Sequence, residues 1–242
     1  VPITHITNGI HLPTWAAPAS RSFLDVHLGS WTADRENQAT WDRIDQVSDR
    51  AIWEYRNRLR SSLISFVNAH IRTQTMSQDA MLNRDALTIG FARRFATYKR
   101  APLLFSDIER ITQLFQHSDR PIQVIYAGKA HPQDEGGKAF IQKIYELSHR
   151  SAFNGRLIFL ENYNMEIGRK LISGCDVWLN NPRRPMEASG TSGQKVAIHG
   201  GLNLSIPDGW WPEGYNGTNG WSIGDNASHE YEDPSVQDPR DA

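Results

Sequence analysis

The sequence predicts an α/β fold in which a parallel sheet carries helices on both faces. From Leu87 onward there are four short apolar runs, and each of the first three is followed by a segment with helical periodicity. Strands that alternate with helices are typical of a parallel sheet, where ligands bind at the ends of the strands. The chain has 242 residues, 39% of them hydrophobic and 22% charged, which is an ordinary globular composition.

The first third of the chain is predicted to be helical, over about residues 32–76. Apolar residues recur at spacings of three and four from Asp49 to about Met76, which predicts one long amphipathic helix. Before it, Thr32 with Glu36 close behind is a plausible cap for a shorter helix.

The remainder divides into strands, helices and a final glycine-rich part. The predicted strands are ALTIGF, PIQVIYAG, RLIFLE and DVWLN, and the predicted helices are YKRAPLLFSDIERITQLFQ, GGKAFIQKIYELSHR and NMEIGRKLISG. Past Lys195 the sequence is rich in Gly and Trp, with frequent turn signals and little periodicity.

Composition excludes several functional classes. The net charge of −1 gives no reason to expect nucleic acid or an anionic membrane as a partner, and no apolar run approaches a membrane span of ~18 residues. The single cysteine, Cys175, lies in an apolar run and is predicted to be a buried hydrophobe, which favours a reducing, cytoplasmic setting. The nine histidines lack metal-binding spacings, so we expect no metal. The chain starts without Met on an extended stretch, so we expect it to be a fragment.

A basic cluster follows the first predicted strand, in GFARRFATYKRA. It contains Arg93, Arg94, Lys99 and Arg100, at the carboxyl end of the strand and beside a predicted helix start. Guanidinium groups and free helix amides both suit phosphate. A solvated, charged turn is the alternative interpretation.

The stretch EASGTSGQK combines a carboxylate, bare backbone amides and an amine. Glu187 can accept hydrogen bonds from hydroxyls, and the small residues after it can offer N–H groups to one ligand, so a polyol suits both. Lys195 is a candidate Schiff-base amine, because lysine becomes nucleophilic where its neutral form is favoured. The alternative is a loop that caps a helix beginning near Gln194, with Lys195 pointing into solvent. Neither this stretch nor AGKAHPQDEGGKAF has phosphate-loop spacing.

Four motifs in this order, ITNGIHLPTW, RRFATYKR, FLENY and EASGTSGQK, resemble the α-glucan phosphorylase family, closest to its shorter bacterial form. The resemblance runs from about Val1 to about Gly224. It implies a retaining glycosyltransferase of the GT-B type, with two Rossmann-like domains, of which this chain is most of the C-terminal one. Residues 1–18 would form an interdomain segment at the cleft, and residues 19–242 the incomplete catalytic domain.

The resemblance also implies pyridoxal 5′-phosphate, bound as an imine to Lys195. The other cofactor-binding residues it implies are Thr191, Tyr163, Trp15 and Lys99. The sugar-binding residues it implies are Asn8, Tyr98, Glu187, Ala188, Ser189 and Gly190. Arg94 and Lys99 would hold the substrate and cofactor phosphates, and with Lys195 they are the implied catalytic residues.

The implied reaction is phosphorolysis of α-1,4-glucan by orthophosphate to give glucose 1-phosphate. The implied partners are the missing N-terminal domain, without which this chain should show little activity, and a second subunit in a homodimer. Two alternatives stay open. One is a cofactor-independent glycosyltransferase of the glycogen synthase type, which does not need Lys195. The other is a non-catalytic glucan-binding module, in which the aromatic residues of GWWPEGYNGTNGW stack on sugar rings.

Overall fold

The described residues of the computed structural model are 4–73, 81–224 and 232–242, and within them six parallel strands form one sheet. The strands are β1 (Leu87–Ala92), β2 (Ile122–Ala127), β3 (Leu157–Leu160), β4 (Val177–Asn180), β5 (Leu202–Ser205) and β6 (Gly220–Ser222). β1 to β4 confirm the four predicted strands. β5 and β6 lie in the glycine-rich part, where the sequence predicted none.

Helices connect the strands and precede the sheet. They are α1 (Leu12–Trp15), α2 (Pro18–Leu28), α3 (Gln38–Trp41), α4 (Asp49–Ile71), α5 (Ile108–Gln116), α6 (Glu135–Ser148), α7 (Met165–Gly174), α8 (Ser192–Ala197), α9 (Trp211–Gly214) and α10 (Pro234–Asp241). The helices predicted after β2 and β3 are confirmed by α6 and α7. The helix predicted after β1 is confirmed only in its second half, as α5, because two short 3-10 turns replace the first half.

The two faces of the sheet are each covered by a separate apolar cluster. Along β2, Ile125 and Ala127 pack with residues of α4 and α7, whereas Val124 and Tyr126 pack with residues of α5 and α6. Alternation along a strand sends successive side chains to opposite faces, so each face needs its own helices. The predicted fold class, a parallel sheet with helices on both faces, is therefore confirmed.

The helical region differs in detail from the prediction. α4 runs over Asp49–Ile71 and is capped by the Ser48 hydroxyl, which accepts from Ala51 N at 3.3 Å. The last predicted residues of this helix, 74–76, lie outside the described residues. The predicted cap at Thr32 is wrong, because α3 starts later and is capped by the Asn37 side chain. Helical structure already begins near the amino end, in α1 and α2.

The strand order indicates at which edge of the sheet a ligand is expected to bind. The order is β3-β2-β1-β4-β5-β6, so the chain leaves β1 toward one side of the sheet and leaves β4 toward the other. In open parallel sheets, ligands bind in the crevice outside the carboxyl ends of the two strands where the order reverses. Here that crevice lies between the loops that follow Ala92 and Asn180.

Candidate active site

The loop after β1 is held in place by backbone bonds and one buried ring. Phe95 N donates to the carbonyl oxygen of Lys129 at 2.9 Å, which continues the pairing of β1 with β2, and the Phe95 ring is fully buried. A 3-10 turn over Thr97–Lys99 follows, and Arg100 ends it at φ 47. The turn leaves the side chain of Lys99 almost completely buried in the crevice.

Arg100 fastens this loop to the loop after β4. Its guanidinium donates to the carbonyl oxygens of Asn181 at 2.9 Å and Pro182 at 2.8 Å, and to the carboxylate of Asp241 at 2.9 Å. The sequence grouped Arg100 with the cations of the basic cluster, but in the structure its guanidinium is occupied by hydrogen bonds within the protein. Arg100 therefore holds the loop after β1 against the loop after β4.

Two cations share one carboxylate in the crevice. Lys99 Nζ contacts Glu187 Oε2, and Arg93 Nη2 lies 3.6 Å from the same oxygen. All three side chains are less than 10% exposed. One carboxylate balances only one of the two cations, so the cluster holds an excess positive charge away from water.

Arg93 carries an unfilled hydrogen-bonding position in this cluster. Its Nη1 is buried and has no hydrogen-bond partner among the described residues. Burial lowers the pKa of Arg93, and the nearby Glu187 carboxylate opposes that shift. Burying a cation without a full set of partners costs free energy, so the geometry favours an anion as the missing partner.

Asp208 fixes the backbone of the small-residue loop. Its carboxylate accepts from Glu187 N and from Gly209 N, both at 2.9 Å. Burial raises the pKa of Asp208, and these two hydrogen bonds oppose the shift. Gly209 has φ +61, and a Cβ there would lie 2.4 Å from the Ser189 carbonyl oxygen, so only glycine fits. The Ser189 hydroxyl is buried and finds no partner within the part of the chain that the structure describes, so this loop also has an unfilled polar group.

Lys195 lies against an aromatic ring and not in open solvent. It belongs to α8, and its Nζ is 4.0 Å from the centroid of the Trp15 ring. Burial lowers the pKa of Lys195, which favours the neutral, nucleophilic amine. The alternative interpretation was correct about a helix near Gln194, because α8 begins at Ser192, and wrong about the orientation of the lysine.

The structure places the other predicted site residues as follows. The Tyr98 ring lies 4.7 Å from Lys99 Nζ, and the Asn8 carbonyl accepts from the Gln194 side chain at 2.9 Å. Thr191 is the N-cap residue of α8, Gly190 has φ +74, and Ala188 is exposed. Arg94 is exposed, and Tyr163 is half-buried, with its hydroxyl facing Gly168. The roles expected for these residues stay predictions.

Sequence reasoning missed two residues of this site. Asp208 lies in the glycine-rich part, where the sequence shows only frequent turn signals, and no local pattern ties it to Glu187, which is 21 residues away. Arg93 belongs to the predicted basic cluster, but the sequence assigned it no role of its own, and the phosphate-binding role expected of its neighbour Arg94 stays a prediction. Alternation after β1 is the signal that could have predicted a buried Arg93 beside an exposed Arg94, because adjacent residues of an extended loop point to opposite sides.

Fold and site together define a class of protein. The sheet is of the Rossmann type, and at the reversal of strand order it has a cation-rich crevice beside a half-buried lysine. These features define an α/β domain suited to phosphorylated ligands. A family model described as carbohydrate phosphorylase matches residues 3–211. The chain belongs to the carbohydrate phosphorylase family.

Curated relatives agree with this membership. The chain is 42% identical over 245 residues to the maltodextrin phosphorylase of Thermococcus litoralis, a match that covers 98% of this chain and 30% of the relative. It is 48% identical over 233 residues to the glycogen phosphorylase of Mycobacterium bovis, covering 92% and 27%. It is 42% identical over 235 residues to that of Aquifex aeolicus, covering 93% and 34%. The chain therefore spans about a third of the length of the relatives it matches.

The described residues hold neither a metal-binding group nor a membrane-spanning helix. Among residues 4–73, 81–224 and 232–242, no group of three or more His, Cys, Asp or Glu side chains is placed to hold a metal ion. Within the same ranges, no helix is both long enough and apolar enough to cross a membrane. Cys175 is fully buried, which confirms the prediction of a core hydrophobe.

Proposed function

We propose that this chain is the phosphate-binding and cofactor-binding part of an α-glucan phosphorylase, which cleaves α-1,4-glucan with orthophosphate to give glucose 1-phosphate. The observation that carries the proposal is the buried pair of Lys99 and Arg93 on the single carboxylate of Glu187. Its excess positive charge, at the reversal of strand order, is suited to phosphate. Family membership supports the same reaction class.

The residues around Lys195 fit pyridoxal 5′-phosphate. Its amine has a lowered pKa and lies on the face of Trp15, and Thr191 is the N-cap residue of the same helix. Lys99 and the unpartnered Arg93 Nη1 offer donors to a phosphate group. When bound, this cofactor supplies a phosphate that exchanges a proton with the substrate phosphate.

The cations in the crevice balance the charge of the phosphates. Two phosphates held close together repel one another strongly in a site that excludes water. Lys99, Arg93 and the exposed Arg94 are the side chains of this chain that we assign to compensating that charge. Orthophosphate then protonates the glycosidic oxygen and captures the glucosyl unit on the same face, so no protein carboxylate acts as a nucleophile.

Glu187 has to exchange partners during this cycle. In the structure its carboxylate is occupied by Lys99, and the same oxygens are those proposed to accept hydrogen bonds from the glucosyl hydroxyls. Entry of a phosphate gives Lys99 a competing anion, which releases Glu187 toward the sugar. Asp208 keeps the Glu187 backbone in place while its side chain changes partners. Asn8, Tyr98, Ala188, Ser189 and Gly190 complete the proposed sugar site.

The whole enzyme is proposed to act with the N-terminal domain that completes the cleft, as a homodimer and in the cytoplasm. The alternatives are not favoured by specific contacts. A glycosyltransferase of the glycogen synthase type has no use for the amine of Lys195 on Trp15. In the segment proposed for a glucan-binding module, Trp211 is only 1% exposed, as expected of a core residue, whereas Trp221 is 51% exposed.

The test is borohydride reduction of the full-length enzyme, followed by peptide mapping. We expect a phosphopyridoxyl adduct on the peptide that contains Lys195. Lys170→Ala is a matched control, because the Lys170 amine also lies over an aromatic ring, 5.7 Å from the centroid of Phe66, and should leave the adduct unchanged. An adduct on any other peptide, or none, would contradict the assignment.

A further inference from the structure

One buried histidine joins the two segments that bring Lys195 and Trp15 together. His199 is 0% exposed and lies just past the end of α8, four residues after Lys195. Its Nδ1 lies 2.8 Å from the carbonyl oxygen of Lys195, and its Nε2 accepts from Ala17 N at 3.1 Å. Ala17 is two residues after Trp15. A single ring therefore spans from the backbone of the lysine to the backbone beside its aromatic partner.

The partners of the ring fix its protonation state. A backbone N–H can only donate and a carbonyl oxygen can only accept, so Nδ1 carries the hydrogen and Nε2 is bare. This is the neutral imidazole in one tautomer, assigned from its two partners. A protonated ring would place an N–H against the N–H of Ala17. Burial also lowers the pKa of His199, to about 4, so the neutral form prevails at physiological pH.

The bond to Lys195 also completes the end of a helix. The last carbonyl groups of a helix have no partner within the helix, and the His199 ring satisfies that of Lys195. The backbone of His199 is in turn held by α4, because Arg56 donates to its carbonyl oxygen at 2.7 Å. Three parts of the fold therefore meet at this residue: α4, α8 and the segment between α1 and α2.

We propose that His199 is a positioning residue for the reaction of Lys195, holding the amine of the lysine on the face of Trp15 so that it meets the cofactor aldehyde in one orientation. This inference rests on the proposed function. His199 acts through the backbone and does not touch the reacting atoms. The small-residue motif that identified Lys195 ends before His199, so the motif alone does not suggest this role.

The test uses two variants of the full-length enzyme, freed of cofactor. His199→Leu keeps a similar volume but removes the donor and the acceptor, whereas His199→Gln keeps one of each. Each protein is titrated with pyridoxal 5′-phosphate, reduced with borohydride and mapped, and the labelled fraction of Lys195 is measured. We expect His199→Leu to need about 10-fold more cofactor for half-labelling, the effect of losing one or two neutral hydrogen bonds. His199→Gln should stay within about twofold of the wild type.

The matched control is His149→Ala. His149 is the exposed C-cap residue of α6, far from Lys195 in sequence, and its Nδ1 lies 2.8 Å from the carbonyl oxygen of Tyr145, also four residues back. It should label like the wild type. If His199→Leu melts at a lower temperature but labels normally while folded, the role is only structural and the proposal is overturned. Weak labelling of both His199 variants would overturn it too, because the polar bridge would not be what matters.

A measurement on the wild type covers the case in which His199→Leu does not fold. The nitrogen chemical shifts of His199 should show a neutral ring with the proton on Nδ1, and the amide of Ala17 should exchange slowly. A proton on Nε2, or a charged ring at pH 7, would overturn the bridge. If the wild type fails to label at Lys195 while this ring state is observed, the proposed function has failed and the bridge has not.

Discussion

Two buried clusters, at opposite ends of the sheet, each place two cations on one carboxylate. At the amino end, Arg56 and Arg60 bind Asp176, and at the carboxyl end Arg93 and Lys99 bind Glu187. We call them the amino-end cluster and the carboxyl-end cluster. They have the same formal charges and similar burial, but they differ in how completely their hydrogen-bonding groups are used.

The amino-end cluster is closed. Arg60 Nη1 lies 3.0 Å from both oxygens of Asp176, and Thr88 N donates to the same carboxylate at 3.0 Å. The two terminal nitrogens of Arg56 also donate to backbone carbonyls, among them that of Cys175 at 2.6 Å. In the carboxyl-end cluster Arg93 Nη1 has no partner among residues 4–73, 81–224 and 232–242, and the same holds for the Ser189 hydroxyl in the adjoining loop. We interpret the saturated cluster as one that supports the fold, and the unfilled positions of the carboxyl-end cluster as support for the proposed ligand site.

Removal of Asp176 should have the largest effect on stability. Asp176→Ala leaves two buried guanidinium groups without their carboxylate, which costs about 3–5 kcal/mol. The measurement is the free energy of unfolding by urea. Glu54→Ala is the control, because it breaks only the exposed pair with Arg50 and should leave stability unchanged. A loss similar to that of the control would mean that the amino-end cluster is not structural.

The second largest effect on stability is expected from acidification, through protonation of His199, which lies beside the amino-end cluster. The pKa of His199 is about 4 in the folded protein and about 6.5 in an unfolded chain. The unfolded state therefore binds the extra proton first, so the stabilisation is complete above pH 6.5 and falls as pH drops toward 4. The full loss is about 3 kcal/mol. Desolvation is the main cause, and the charge of Arg56 adds to it.

His199→Leu separates this effect from the other titrating groups. Asp208 contributes with the opposite sign, because its raised pKa makes the folded protein the better proton acceptor in acid. Its contribution is the same in both proteins. The difference between wild type and variant should shrink as pH falls from 6.5 to 4. A difference that does not change with pH would show that the ring is not held neutral.

Added phosphate should stabilise the protein through the carboxyl-end cluster and not through the amino-end cluster, with a smaller effect than the two above. Bound phosphate fills the carboxyl-end cluster and stabilises the folded state by mass action, by about 2 kcal/mol at some 50 times its dissociation constant. Arg93→Met should abolish most of this stabilisation, while in the absence of phosphate it should leave stability nearly unchanged, because the group it removes is not fully paired. Arg60→Met is the matched variant: it should lower stability and keep the response to phosphate. Thermal melts with and without phosphate provide the measurement, and an unaltered response in Arg93→Met would contradict the site.

The sequence predicted most of the sheet and its helices, but less of the two charged clusters. β1 to β4 are buried apolar runs, and their pattern is local. β6 has only three residues and depends on pairing with β5, so it has no pattern of its own. The helix predicted after β1 breaks at Arg100, whose left-handed backbone is held by contacts with residues more than 80 positions away. Arg60 and Asp176 are separated by 116 residues, and sequence patterns do not encode such pairings.

The smallest predicted effect compares one hydroxyl from each cluster. Thr88 Oγ1 accepts from the Gln123 amide at 2.8 Å, whereas Ser189 Oγ is buried and no described residue is its partner. Thr88→Val should cost about 1–2 kcal/mol, because it strands a buried donor, and Ser189→Ala should change stability by less than about 0.5 kcal/mol. Glucan affinity should respond the other way, falling for Ser189→Ala and not for Thr88→Val. Urea unfolding and glucan binding, measured on the same two variants, provide the test. If Ser189→Ala cost as much stability as Thr88→Val, the Ser189 hydroxyl would be supporting the fold. An unpartnered polar group would then no longer indicate the ligand site.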